Sequence, residues 1–204
     1  MSKIEELQKL EAEIRADKFL PLQESNLVFG EGNADCVVLF IGEAPGFYED
    51  KLQRPFVGRS GKLLDKLILS VGWKREDVYI TNIVKRRPSQ NRDPLPEEID
   101  AYKPYLQRQI EIISPKIISP LGRFAMNYFL PTAKISRDQG KLFRLGDKFI
   151  FPLLHPAAAL RSTEMLKALT AAFEKLPIVL QKREEMVEDL PEEKPKSSKS
   201  QHLF

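Results

Sequence analysis

Cysteine is almost missing from this chain: Cys36 is the one thiol in 204 residues. A single cysteine excludes an internal disulfide and, by itself, excludes a cysteine-built zinc or iron–sulfur centre. Placed just before an apolar run, it is expected to be a small buried residue at a strand start. Histidine is nearly as scarce. Of the two, only His155 lies in the expected folded body. Long hydrophobic runs are also absent: the longest, 36–41 and 150–154, fall far short of the roughly 20 residues that span a bilayer. The N-terminal stretch MSKIEELQKLEAEIRADK alternates charge with apolar residues and has no continuous apolar region of the signal-peptide kind. These absences predict a cytoplasmic protein (nucleoid-associated if the source is prokaryotic) without a membrane partner. A dominant charge sign is lacking too. The 32 Lys and Arg against 29 Asp and Glu leave a net +3, which permits a nucleic-acid partner without requiring one.

What is present is enough for a core, with 42% hydrophobic and 30% charged residues. The spacing predicts a helix over 1–18, then a loop, FLPLQESN. Apolar runs at 37–42, 78–83, 117–121 and 149–154 read as buried strands, separated by helical patterns at 61–71, 97–114, 122–130 and 163–176. Strand–helix alternation of this kind predicts an α/β fold around a parallel sheet, with the site beyond the carboxyl ends of the strands. That rule gathers GEAPG, TNIVKRRP, LGRFA and LHPAAAL along one edge. Residues 1–181 are expected to form the domain. Residues 182–204 read as a charged, disordered tail.

Four segments carry chemistry. GEAPG (42–46) presents Glu43 at a strand end, or is an ordinary tight turn. In RPFVGRSGK (54–62), Ser60 is expected to cap a helix near Gly61, while Gly58 and Gly61 let amides approach a phosphate beside Arg59 and Lys62. Phe56 there is either a core residue or a platform for a planar ligand. Asn82 has the donor and acceptor set that reads a pyrimidine edge, or it caps a turn. The following loop, Lys85 to Pro94 and including Arg87, is suited to phosphates or merely solvated. His155 ends the last strand and leads into small residues, then Leu160 and Arg161, an apolar wedge with a cation that could fill the gap left by an extruded base. Together these outline a base-flipping site without the zinc ligands that deaminase chemistry needs.

GEAPGFYED, RPFVGRSGKLLD, YITNIVKRRPSQNRDPLPEEI, SPKIISPLGRFA and LHPAAALR, in this order, resemble the successive motifs of the family 4 uracil-DNA glycosylases over roughly residues 15 to 175. The resemblance implies a single three-layer α/β/α domain, uracil-DNA glycosylase-like, with a central four-stranded parallel sheet. It implies hydrolysis of the N-glycosidic bond of deoxyuridine in DNA. By motif, His155 would hydrogen-bond uracil O2 and stabilise the departing base, and Asn82 would read the uracil edge. Phe56 would stack on the ring, and the Ala44 backbone would contact it. Glu43 would position or activate water. Gly58, Ser60, Lys62 and Arg87 would hold phosphate, and Leu160 and Arg161 would enter the duplex. Related glycosylases carry Asp where Ala44 stands, so leaving-group stabilisation must carry more of the rate here. The short loop at 85–94 lacks the histidine with which one relative bonds covalently to the sugar, so ordinary hydrolytic turnover by a monomer is expected. Two alternatives stay open: excision of hypoxanthine or xanthine on the same fold, and a non-catalytic DNA-binding, clamp-tethered protein.

The resemblance also exposes a departure. The family holds an iron–sulfur cluster through four cysteines, and the aligned positions here are Asp17, Leu20, Arg86 and Tyr102. No cofactor is therefore expected. An Asp17–Arg86 ion pair with a plug of Leu20 and Tyr102 is expected to take the cluster's place. At the end of the chain, SQHLF resembles the short peptides with which bacterial repair proteins bind the replication sliding clamp, through Gln201, Leu203 and Phe204. The same residues could instead fold back on the domain.

Overall fold

In the computed structural model, which describes residues 1–183, 185, 187 and 188, the first element is α1 (Lys3–Ala16). Ser2 starts it. The Ser2 hydroxyl accepts from the Glu5 amide and the Glu5 carboxylate accepts from the Ser2 amide, which satisfies two donors the first turn leaves free. There follow β1 (Glu31–Gly32), β2 (Val38–Gly42), α2 (Phe47–Leu52), α3 (Arg59–Ser70), β3 (Tyr79–Asn82), α4 (Pro96–Ile113) and β4 (Ile117–Pro120). The second half adds α5 (Arg123–Phe129), α6 (Ile135–Asp138), β5 (Leu142–Leu145), β6 (Lys148–Ile150), α7 (Pro156–Ala159), α8 (Thr163–Phe173), α9 (Leu176–Lys182) and β7 (Val187–Glu188).

The strands lie in the order β1-β3-β2-β4-β6-β5-β7. The central four, β3-β2-β4-β6, are mutually parallel, as expected. Short antiparallel neighbours extend them: β1 on β3, and β5 on β6. β7 pairs parallel to β5 and falls within the stretch read from sequence as tail. The last parallel strand is shorter than the run 149–154 suggests. Beyond Ile150 the segment still donates to β4, from the Phe151 amide to the Ile118 carbonyl and from the Leu153 amide to the Pro120 carbonyl, and an isolated bridge pairs Leu153 with Leu121.

Alternation along β2 builds the layers. Leu39 and Ile41 face α1, α4 and α5, where Leu10, Ile14, Leu106, Ile113 and Met126 are buried. Val38 and Phe40 face α3, α8 and α9, with Leu64, Ile68, Leu169 and Phe173. Phe40 stacks on Phe173 at 5.5 Å between ring centres. The central strands β2, β3 and β4 are buried on both faces, which is why they read as continuous apolar runs. The two helical layers leave the carboxyl ends of the central strands as the open edge.

Candidate active site

Gly42, the last residue of β2, stands opposite Asn82, the last of β3. A Cβ on Gly42 would lie 2.4 Å from Asn82 Oδ1 and 2.6 Å from the Phe56 ring. Glycine is thus what allows amide and ring to converge. Phe56 is buried and held at a positive φ of 51°, so the turn before α3 is forced to aim this ring inward. Its ring lies 5.7 Å from that of His155, which ends the β6 segment. Gly122, with φ +88°, packs against His155 from the β4 side, where a Cβ would come within 2.9 Å of the histidine Cβ. Glu43, Ala44, Ser60, Asn82, Phe56, His155 and Arg161 line one cleft. The sheet edge has brought four separate motifs together.

The polar groups in this cleft are poised for a ligand. His155 Nδ1 accepts the Ala157 amide at 3.1 Å, which assigns the ring proton to Nε2. Burial pushes the imidazole pKa down to about 4, against a smaller opposing pull from Glu49. His155 is therefore a neutral N–H donor at neutral pH. Burial also raises the Glu43 carboxyl to about 7, with Asp93 adding to the shift and Arg123 opposing it. Asn82 is 2% exposed, and its Oδ1 has no hydrogen-bond partner. A buried acceptor left open is costly unless something fills it.

The phosphate-binding expectation needs correction. Ser60 does not cap α3, which begins at Arg59 behind Gly58; Ser60 sits in its first turn and faces the cleft. The Gly58 amide is not free for phosphate. Both it and the Val57 amide donate to Glu49 Oε1, at 2.7 and 2.9 Å. Gly61 serves packing, because a Cβ there would collide with the Phe56 carbonyl at 1.8 Å. Lys62 is exposed, away from the cleft lining. Arg87 is half-buried, and its Nε donates to Asn91. The basic loop is only partly a surface feature. Lys85 is fully buried, donating to Thr81 Oγ1 and Gln109 Oε1, and burial holds its amine well below the usual lysine range. Leu160 is exposed and precedes Arg161, which lines the cleft.

The four positions aligned with cluster cysteines do converge, but not as an Asp17–Arg86 pair. Asp17 accepts from the Tyr105 hydroxyl at 2.6 Å and from the Phe19 amide at 2.9 Å. The hydroxyl chiefly, and then the amide, hold its carboxyl below the usual range. Arg86 instead donates to the Ser25 carbonyl and contacts Tyr102, although its Nε has no acceptor. Tyr102 is fully buried and donates to the Pro21 carbonyl at 2.9 Å, and Leu20 is buried in the same core. The apolar half of the expected plug is present. These residues do not fit an iron–sulfur cluster: none is a thiolate, and their polar groups are already engaged by neighbouring parts of the chain. Cys36 is buried elsewhere, with burial raising its thiol to about 11.

Glu49 escaped the sequence reading, and Pro88, Asn91 and Arg92 were read there only as part of a basic loop. Glu49 holds the turn after Phe56. Pro88, Asn91 and Arg92 form a wall of the cleft. A carboxylate three residues beyond GEAPG was a readable hint, whereas the wall depends on how the 85–94 loop folds. Arg92 is aimed by Glu98, its guanidinium bonding that carboxylate at 2.5 and 2.8 Å.

Residues 29–177 match the sequence family described as the uracil DNA glycosylase superfamily. The chain is 42% identical over 185 residues to the type-4 uracil-DNA glycosylase of Sulfurisphaera tokodaii, covering 85% of this chain and 84% of that one. Identity is 44% over 168 residues to the enzyme of the same name from Thermotoga maritima, with 80% and 88% covered. It is 47% over 161 residues to that of Saccharolobus solfataricus, with 74% of each covered.

Proposed function

The chain belongs to the uracil DNA glycosylase superfamily, and on that premise we propose how its own residues excise uracil from DNA. It is a uracil-DNA glycosylase, a hydrolase of the N-glycosidic bond, and its product opens base excision repair. The flipped base stacks on Phe56. Asn82 Oδ1, the buried acceptor without a partner, takes the uracil N3–H, while the amide nitrogen donates to O4. This orphan acceptor is the observation that carries the reading: cytosine, which has no N3–H, leaves it unpaired.

His155 Nε2–H donates to uracil O2 as the C1′–N1 bond lengthens and negative charge moves onto the ring. A neutral imidazole suits that role, since it gives a hydrogen bond without a proton transfer. Glu43 accepts a proton from the water that adds its oxygen to C1′, and the base leaves as the uracil anion, later protonated. Its raised pKa compensates in part for the missing Asp at Ala44. The first-turn amides of α3 beyond Gly58, with Ser60, hold a phosphate, and Leu160 and Arg161 fill the vacated stack. The cleft lining contains no lysine among the described residues, which supports a monofunctional reaction ending at the abasic site.

The same reading has the chain work as a monomer without the family's cluster, because the donor set at positions 17, 20, 86 and 102 cannot hold one. Gln201, Leu203 and Phe204 lie outside the described residues, and the sliding-clamp contact rests on their sequence alone. Excision from oligonucleotides carrying uracil, hypoxanthine or xanthine tests the whole reading, alongside iron analysis of the purified protein. Uracil release by iron-free enzyme is expected. Release of only the purines would overturn the assignment of Asn82, and activity proportional to bound iron would overturn the cluster-free reading.

A further inference from the structure

Just past the loop that floors the cleft, α2 turns two aromatic side chains outward. Phe47 is 52% exposed and Tyr48 is 60% exposed. Their rings meet edge to face, 5.4 Å between centres at 81°. The Arg87 guanidinium lies 5.2 Å from the centre of the Phe47 ring, and Arg87 Nε donates to Asn91 Oδ1 at 2.6 Å. The cluster is continuous with the cleft on both strands of its chain. Gly46 and Glu49 flank the aromatics, Pro88 and Asn91 follow the arginine, and all four line the cleft. None of the three side chains belongs to either hydrophobic core, so packing does not account for them.

We propose that Phe47, Tyr48 and Arg87 form a stacking ledge for an unpaired base next to the flipped uracil, which makes uracil in single-stranded DNA a preferred substrate. The proposal rests on the uracil-excision reading of the adjoining cleft. Exposed aromatic rings beside a guanidinium are the chemistry that holds single strands without regard to sequence, because every base offers a π-face and every nucleotide a phosphate. In a duplex the neighbouring bases stay paired and stacked on one another, and such a ledge finds nothing to take. In a single strand they are free to leave the stack.

The test compares kcat/KM for one uracil oligonucleotide, single-stranded and annealed to its complement. The enzymes are wild type, the double variant Phe47→Ala with Tyr48→Ala, and Phe19→Ala. Phe19 is 99% exposed and outside the ledge, so it serves as the control. The double variant is expected to lose about tenfold on the single strand, several times more than on the duplex, while Phe19→Ala matches wild type on both. In parallel, 2-aminopurine is placed on either side of non-hydrolysable 2′-fluorodeoxyuridine. Its fluorescence should be quenched on one side by wild type and not by the double variant. Equal losses on both substrates, or no loss on either as a protein-docking patch would give, would overturn the ledge. Wild type that releases no uracil would instead strike the excision reading, and the 2-aminopurine signal would still decide the ledge.

Discussion

Two clusters of polar side chains sit on the same α/β frame and have opposite accounts. At the open edge of the sheet, the groups are short of partners. Asn82 Oδ1 has none, His155 spends only Nδ1 on the protein, and Glu43 has lost water without gaining an ion pair close enough to keep its carboxyl acidic. Behind the sheet edge, around positions 17, 20, 86 and 102, partners are nearly complete. Tyr102 bonds Pro21, Arg86 bonds Ser25, and Asp17 bonds Tyr105. The first cluster is unfinished without a ligand. The second is closed by the chain itself. A buried polar group costs free energy when unpaired, so the location of the remaining deficit marks where a substrate belongs.

If that contrast holds, substitutions in the cleft should reduce chemistry with little effect on folding, and substitutions in the closed cluster should do the reverse. The largest effect is expected at His155. His155→Ala removes the donor aimed at uracil O2 and should lower kcat for uracil release by about 10³-fold, with a melting curve close to wild type. Glu43→Gln comes next, with a fall of about 10²-fold and a changed pH profile. The Glu43 carboxyl is raised to about 7, so the fraction able to accept a proton grows as pH rises through that value. Wild-type kcat/KM should rise through pH 7 and level off, and Glu43→Gln should flatten this limb. A limb that survives in the variant would assign the titration to another group. His155 does not confuse the comparison, since its pKa near 4 keeps it neutral throughout that window.

How much of each cluster was legible from sequence follows from the same difference. Gly42, Glu43, Asn82 and His155 were readable because each ends or follows a buried strand, and parallel strands deliver their carboxyl ends to one edge, whereas Phe56 was readable from the glycine-bearing segment that leads into α3. The central strands and the helix α1 were readable from apolar runs and periodicity. The short extensions β1, β5 and β7 were not, since they lie at the sheet margins outside any buried apolar run. Charge was the least reliable guide. Lys85 belongs to what reads as a basic surface loop, yet its amine is buried against Thr81 and Gln109. Asp17 and Arg86 suggested a pair by sign alone, whereas neighbouring hydroxyl and carbonyl groups claimed each of them. Sequence gives the sign of a charge but not which hydrogen-bond partner lies nearer.

The closed cluster can be opened with less damage. Tyr102→Phe keeps the ring in the core but leaves the Pro21 carbonyl without its donor and takes a contact from Arg86. It should cost about 1–3 kcal/mol of stability in denaturant unfolding, while uracil release per folded molecule stays near wild type. A large loss of kcat with unchanged stability would mean that this region feeds the cleft, and the contrast between the clusters would fail.

The smallest expected effect is the sharpest on geometry. Asp17→Asn removes a charge at a half-buried site near the surface whose partner is the Tyr105 hydroxyl, and such sites contribute little. Its melting temperature should shift by about two degrees or less at neutral pH. Because the native carboxyl is held below its usual range, whatever it adds is present above the unfolded carboxylate pKa and fades as pH falls through the lower native one. The wild-type and Asp17→Asn curves should therefore converge in acid. Combined with Arg86→Gln, the two effects should simply add, since Asp17 and Arg86 share no bond. Tyr102→Phe combined with Arg86→Gln should not add, since Tyr102 and Arg86 are in contact. Strong coupling between positions 17 and 86 would restore the ion pair that their charges suggest and require the chain from Asp17 to Ser25 to adopt a different path in solution.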